Sequence, residues 1–306
     1  MPKVSVIMNC LNGKRYLRKA IDSVFAQTFD DWEIIFWDNA STDESGEIAR
    51  SYGDRLRYFR SERTYSLGKA RNLAFAQARG DLIAILDVDD VWLPNKLEKQ
   101  VELFNRNPQL CMVFSNFIFF NEDGDKSDMF KFSKPMRGRI FGGLLRNNFI
   151  STGAMVYKKS ILESMDYIFD DGFTVAMDYD LSLRIAYYYE VDYVDEPLSK
   201  WRMHRESESS RKRLLIPQES LKMLEKLIKN LPGMEERFEE EIKDFKKKVN
   251  YQYAIAEWNN GNKKIAKNYL KPHLNNRKFL ITFILMHILS LNQFENLKLK
   301  LKYLLR

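Results

Sequence analysis

Apolar runs recur along the first 120 positions, and each is followed by a stretch whose apolar residues fall at helical spacing. Val4–Met8, Glu33–Trp37, Leu56–Phe59, Leu82–Leu86 and Cys111–Phe120 are predicted strands. Tyr16–Ala26, Thr42–Tyr52, Leu67–Ala78 and Lys96–Asn107 are predicted helices. Nearly continuous apolar strands are expected where helices cover both faces of a parallel sheet. Right-handed crossovers then gather every strand-to-helix loop at one edge, and ligands bind beyond the carboxyl ends of the strands. The loops Asn9–Gly13, Asp38–Asp43 and Asp87–Asp90 are therefore expected to converge.

After Phe120 the rhythm breaks. Asn121–Asn148 is polar and carries Gly138, Gly142 and Gly143, so it is expected to be an irregular, mobile cover over the crevice. Ser151–Tyr157 and Val191–His204 read as further strands on either side of a helix at Tyr179–Tyr188. Beyond Pro217 the pattern is helical to the end, with Gly261-Asn262 turning a helix hairpin inside Tyr251–Leu270. A boundary is expected near Arg211–Pro217.

Composition changes this picture in three ways. At 306 residues and 45% hydrophobic content the chain has ample material for a folded core, which excludes a disordered or fibrous protein. The net charge of +7 is uneven: from Arg211 onward there are 21 Lys and Arg against 10 Asp and Glu, leaving 28 against 32 before it. Part of the tail is mixed, as in Glu235-Glu236-Arg237 and Glu239-Glu240-Glu241, which reads as a solvated helix face, and no nucleic-acid module is present. Phe279–Leu291 is apolar but falls short of the roughly 20 residues that span a bilayer. With Leu297, Leu299, Leu301 and Leu304 interleaved among Lys298, Lys300, Lys302 and Arg306, the end of the chain has two readings: a helix lying on an anionic membrane surface, or an amphipathic packing or dimer helix. Cys10 and Cys111 lie in apolar runs and are expected as buried free thiols. The opening Met1–Met8 enters a strand at once and lacks the pattern of an export signal, so a cytoplasmic location, peripheral to the membrane, is expected.

Candidate chemistry concentrates at Leu82–Asp90, where an apolar strand runs into Asp87, Asp89 and Asp90. Carboxylates this close repel and raise one another's pKa unless a cation neutralises them; Mg²⁺ or Mn²⁺ bound by one or two carboxylates usually also carries substrate phosphates. An acidic turn ahead of the helix at Lys96 is the alternative, and Asp90 is either a support behind the metal ligands or a helix cap.

Four further segments accompany that acidic turn in a fixed order: Trp37-Asp38-Asn39-Ala40-Ser41-Thr42-Asp43, Gly68-Lys69-Ala70-Arg71-Asn72, Met177-Asp178-Tyr179-Asp180 and Trp201-Arg202-Met203-His204-Arg205. With the opening Val4–Asn12 and Ser23–Thr28 they resemble glycosyltransferase family 2 over roughly residues 3–208. The resemblance implies a GT-A fold, an α/β architecture with a mostly parallel sheet flanked by helices, here followed by an all-helical extension. It divides the chain into a catalytic domain at 1–213, with a nucleotide-sugar half to about 120 and an acceptor half beyond it, and a helical region at 214–306. The activity implied is inverting transfer of a sugar from a nucleotide-sugar, UDP above all, to a glycan or lipid-linked hydroxyl in surface polysaccharide or glycolipid assembly, assisted by Mn²⁺ or Mg²⁺.

Residue by residue, the resemblance assigns Asn9, Asn12, Asp38, Arg71, Asp87 and Asp89 to the nucleotide-sugar, with Asp38 accepting the uracil imide N–H. It assigns Asp89 and His204 to the metal, and Asp178 to the general base that takes the acceptor hydroxyl proton. Each has a plainer reading: Asp38 as a turn acid before Ser41-Thr42, Arg71 as a surface arginine, His204 as a solvated strand-end histidine. Asp180 and Arg184, four apart, read as a structural pair. Met177 stands where the family often has Glu. A catalytically inactive nucleotide-sugar-binding relative is the alternative function, whereas a pyrophosphorylase is disfavoured because no Gly-rich phosphate loop follows the first strand.

Overall fold

The computed structural model describes residues 2–204, 206–291, 293, 294 and 297. Arg205 and the leucine and lysine positions after 297 in the tail lie outside the described residues. The chain divides into two compact units, Met1–Ser207 and Glu208–Arg306.

The first unit begins as the sequence predicts, with β1 (Val4–Cys10), α1 (Lys14–Phe25), β2 (Trp32–Asp38), α2 (Ser45–Arg50), β3 (Leu56–Arg60), α3 (Leu67–Phe75) and β4 (Leu82–Ile85). A short β5 (Val91–Trp92), α4 (Lys96–Arg106) and β6 (Met112–Asn121) follow. Next come β7 (Gly124–Asp128), α5 (Phe141–Arg146), β8 (Val156–Lys158), α6 (Lys159–Glu163), α7 (Met177–Tyr188) and β9 (Val191–Arg202). The sheet runs β3-β2-β1-β4-β8-β6-β9-β5, with β7 paired to β6. Strands β1 to β4 are mutually parallel, and β6 is parallel to β9. Between these blocks β8 is antiparallel to both β4 and β6, so the sheet is mixed. Val6, Ile7, Met8, Ile34, Ile35 and Ala84 are fully buried, as strands covered on both faces must be. Cys10 and Cys111 are buried free thiols.

The segment 121–148 departs from expectation. It is ordered into the β6–β7 hairpin and α5, because Phe141, Leu144 and Leu145, spaced i, i+3, i+4, bury against the core. The glycine pair Gly142-Gly143 had masked that spacing.

The second unit is helical: α8 (Glu208–Arg211), α9 (Leu215–Asn230), α10 (Met234–Arg237), α11 (Glu239–Asn259), α12 (Lys263–Leu270) and α13 (Arg277–Ile288). Gly261, at φ +83°, turns α11 into α12, a conformation only glycine takes without strain. Tyr251, Ala254, Trp258, Ala266, Leu270, Phe279 and Met286 form its core. Among the described residues no helix is long and apolar enough to cross a membrane.

Candidate active site

The parallel block delivers its strand-end loops to one edge. In the β1–β2 ladder Cys10 stands opposite Asp38, and Ile85 at the end of β4 stands opposite Ile7, which leads to Asn9 and Asn12 on one side and Asp87–Asp90 on the other. The loops after β1 and β2 are stitched together. Asn12, at φ +55°, accepts the Thr42 amide through its side chain (2.8 Å), and its own amide donates to Ser41 Oγ (3.0 Å). Asn9 lies beside them at the end of β1, and both polar atoms of its side chain are buried with no hydrogen-bond partner among the described residues.

Asp38 is fully buried. Tyr58 Oη and Arg60 Nη1 donate to its Oδ2 (2.6 and 2.5 Å), and the Ser41 amide donates to Oδ1 (2.7 Å). Burial pushes its pKa up, but these hydrogen bonds and the Arg60 charge outweigh burial and hold the carboxyl below its usual range. The N-terminus of α2 closes over this group: a Cβ at Gly46 would lie 2.8 Å from Tyr58 Oη. The turn-acid reading of Asp38 therefore describes an observed hydrogen bond. Its principal partners, Tyr58 and Arg60, were not singled out from the sequence. Their signal was the two-residue spacing on β3, which puts both on the face toward Asp38.

The segment Gly68–Asn72 docks α3 onto the loop ahead of α7. A Cβ at Gly68 would meet Asp170 O at 3.0 Å, so glycine permits the close approach. Asn72 exchanges two hydrogen bonds with the Phe169 backbone (2.8 and 3.1 Å). Between them Arg71, 1% exposed, donates to Asp87 Oδ1 (2.7 Å) and to Asp178 Oδ1. This corrects the surface reading of Arg71: desolvation opposes its charge, but the two carboxylates outweigh that and raise its pKa. Asp178 sits in the first turn of α7, where the helix dipole favours a negative charge. Met177 beside it is buried. Asp180 and Arg184 form the expected i,i+4 ion pair (2.8 Å), and Arg184 also donates to the carbonyls of Tyr167 and Ile168.

At the end of β4 the acids are crowded. Burial raises the Asp87 pKa; Arg71 opposes this, while Asp89 and Asp178 add to it. Asp90 is pushed well above the ordinary carboxylate range by burial and then by its acidic neighbours. Asp90 caps no helix: it accepts the Arg202 amide (2.8 Å), whereas Asn95 occupies the N-cap position of α4. His204 Nε2 lies 2.8 Å from Asp89 Oδ2, within hydrogen-bond reach, so the solvated reading of His204 does not hold; it is 16% exposed. Arg202 supports that contact. Its Nε donates to Asp89 O (2.7 Å), and its guanidinium lies between the rings of Tyr16 and Phe120, at 4.2 and 4.3 Å.

Asp89 and His204 thus present carboxylate oxygen and imidazole nitrogen side by side, a donor pair that suits Mn²⁺ better than Mg²⁺. Among the described residues no group of three or more His, Cys, Asp or Glu forms a complete metal cage.

Comparison with known proteins adds three findings. Residues 5–165 match the family model described as Glycosyl transferase family 2. An uncharacterized glycosyltransferase of Methanocaldococcus jannaschii, MJ1057, is 34% identical over 66% of this chain and 71% of its own length. The chain spans 36% and 64% of the next two curated relatives, both rickettsial. Among solved structures, S. aureus TarS 1-349 in complex with UDP-GlcNAc superposes with TM-score 0.61 at 17% identity, covering 88% of this chain and 92% of that one. The Pyrobaculum calidifontis mannosyltransferase PcManGT with GDP-Man and Mn²⁺ gives 0.64 at 16%, covering 97% and 87%. These two likenesses establish the GT-A type of fold.

Proposed function

Since the chain belongs to glycosyl transferase family 2 and is a glycosyltransferase, we propose that it moves a sugar from a nucleoside-diphosphate donor, UDP by preference, to a hydroxyl of a glycan or lipid-linked acceptor with inversion. The observation that carries this reading is the Arg71 bridge, which ties a donor-side carboxylate after β4 to a carboxylate opening α7, 91 positions later in the chain. Donor-site acid and base candidate are thereby held by one rigid group.

In this mechanism Arg71 fixes one oxygen of Asp178 and the other takes the acceptor proton as the acceptor oxygen attacks the anomeric carbon. The new C–O bond forms on the face opposite the diphosphate while the bond to the leaving phosphate oxygen breaks, its electron pair departing with the diphosphate. A single in-line displacement of this kind inverts the centre, and holding both reactants in register supplies much of the acceleration. Asn9 and Asp38 line the nucleoside end, where the buried Asn9 amide offers a donor and an acceptor to base or ribose. Asp89 and His204 would hold a divalent ion, which when bound offsets the charge that develops on the departing diphosphate. The sugar nucleotides bound by TarS and PcManGT support a nucleotide-sugar donor here, and the Mn²⁺ of the latter supports the ion.

The test is thermal unfolding with UDP-, GDP- and dTDP-sugars, each with and without Mn²⁺. The expected outcome is metal-dependent stabilisation by a UDP-sugar. Stabilisation by a GDP-sugar alone reassigns the nucleotide, and a flat response to all three donor classes overturns the reading.

A further inference from the structure

From Phe279 to Met286 helix α13 carries no polar side chain but Thr282, yet only one side of it is covered. Phe279, Thr282 and Met286 face the core of the second unit. Leu280, Ile281, Ile284 and Ile288, on the opposite side, are 40%, 54%, 50% and 74% exposed. At 3.6 residues per turn these four fall within a sector of about 100°, the width of a stripe made to be buried. Ile265 on α12 is also exposed, at 46%, so every exposed large hydrophobic residue described in this unit lies between 265 and 288.

Charge identifies the partner. The sequence 263–294 carries Lys263, Lys264, Lys267, Lys271, Arg277 and Lys278 and not one Asp or Glu, whereas 208–259 is nearly balanced. A second copy seated on this stripe would set two wholly basic segments face to face, which opposes self-association. An anionic bilayer meets both features at once, taking the isoleucines into the acyl boundary and the cations among the headgroups.

We propose that α13, with the basic residues of α12 and the turn between them, is a docking surface for an anionic lipid membrane. The docking holds whichever sugar and nucleotide the catalytic unit uses. A short stripe with this charge gives reversible, peripheral attachment: the bare face sinks to the depth of the isoleucine side chains while the core face keeps α13 attached to α11 and α12.

The test is co-sedimentation of the full chain with phosphatidylcholine vesicles and with vesicles containing 30% phosphatidylglycerol, at low and high salt. Binding confined to the anionic vesicles and weakened by salt is expected. Ile281→Ser/Ile284→Ser/Ile288→Ser is expected to lower partitioning at least tenfold, and Lys264→Glu/Lys271→Glu, which leaves the apolar stripe intact, severalfold. Both variants should keep the parent's thermal shift with nucleotide-sugar, which separates failure of this surface from failure of the transferase reading. Equal or absent binding to both vesicle types overturns the proposal, as does a dimer in sedimentation equilibrium that the isoleucine substitutions abolish.

Discussion

The carboxyl ends of β2 and β4 lie on the same edge of the sheet and both carry buried carboxylates, but they are set up in opposite ways. Burial acts in the same direction at each. At β2 a lone Asp38 receives donors from Tyr58, Arg60 and Ser41, which bring its pKa below the usual range. At β4, Asp87 and Asp90 are raised, because one bridging guanidinium serves Asp87 and Asp178 together while Asp90 has acids for neighbours. The β2 end is electrostatically complete within the protein; the β4 end still calls for positive charge. A strand-end aspartate is therefore not a function in itself, and the donors and acids around it decide whether its charge is met within the protein or still needs a cation.

That contrast can be broken at several points. Asp178→Asn should lower transfer by about 10³-fold, the middle of the range for a lost general base, while donor-dependent thermal stabilisation survives. Asp89→Asn should weaken both, and unimpaired turnover in Asp178→Asn would move the base elsewhere, with Asp180 the next residue to test. Arg71→Met leaves two carboxylates facing each other beside a buried gap, and unfolding in urea should reveal a loss of about 3 kcal/mol, as when one member of a buried ion pair is removed. Arg71→Lys should recover part of that stability but not the two-pronged hold, so its deficit should persist in kcat more than in donor KM.

The smallest effect concerns the β2 end. Tyr58→Phe removes one donor from a charged acceptor and should cost about 1.5 kcal/mol at pH 7. Because the folded pKa of Asp38 is depressed, its contribution is complete above the ordinary carboxylate value and disappears as pH falls through the lowered one. Removing Tyr58 raises that folded value, so acid unfolding followed by circular dichroism should begin at a higher pH. Superimposable acid profiles would mean that Asp38 is not held as described.

The parallel block was legible because continuous apolar strands alternating with helical spacing have few other solutions, and the acids after its strands could be placed on one edge from topology alone. Other parts were hidden for physical reasons. Of the strand predicted at Ser151–Tyr157 only the end pairs, as β8, because Thr152–Ala154 forms a 3-10 turn; β5 has two residues, too few for any period to register, and β7 is polar and largely exposed. Arg71 looked like a surface residue because a lone guanidinium is costly to bury, and only the positions of Asp87 and Asp178, distant in sequence, make that burial favourable. Likewise the approach of His204 to Asp89 depends on β9 running parallel to β6, a pairing that motif order implies but does not dictate.

The antiparallel insertion of β8 has a consequence for how the enzyme is made. During synthesis β1 to β4 can assemble from the ribosome in order, but the block then ends on an unsaturated strand until residues 156–158 emerge and pair with β4. Arg202 reaches back 112 positions to Asp90, and His204 115 positions to Asp89. Nascent chains halted before those residues would hold most of the sheet but neither of these contacts. Completion of the acidic strand-end cluster is thus among the last events of translation for this unit.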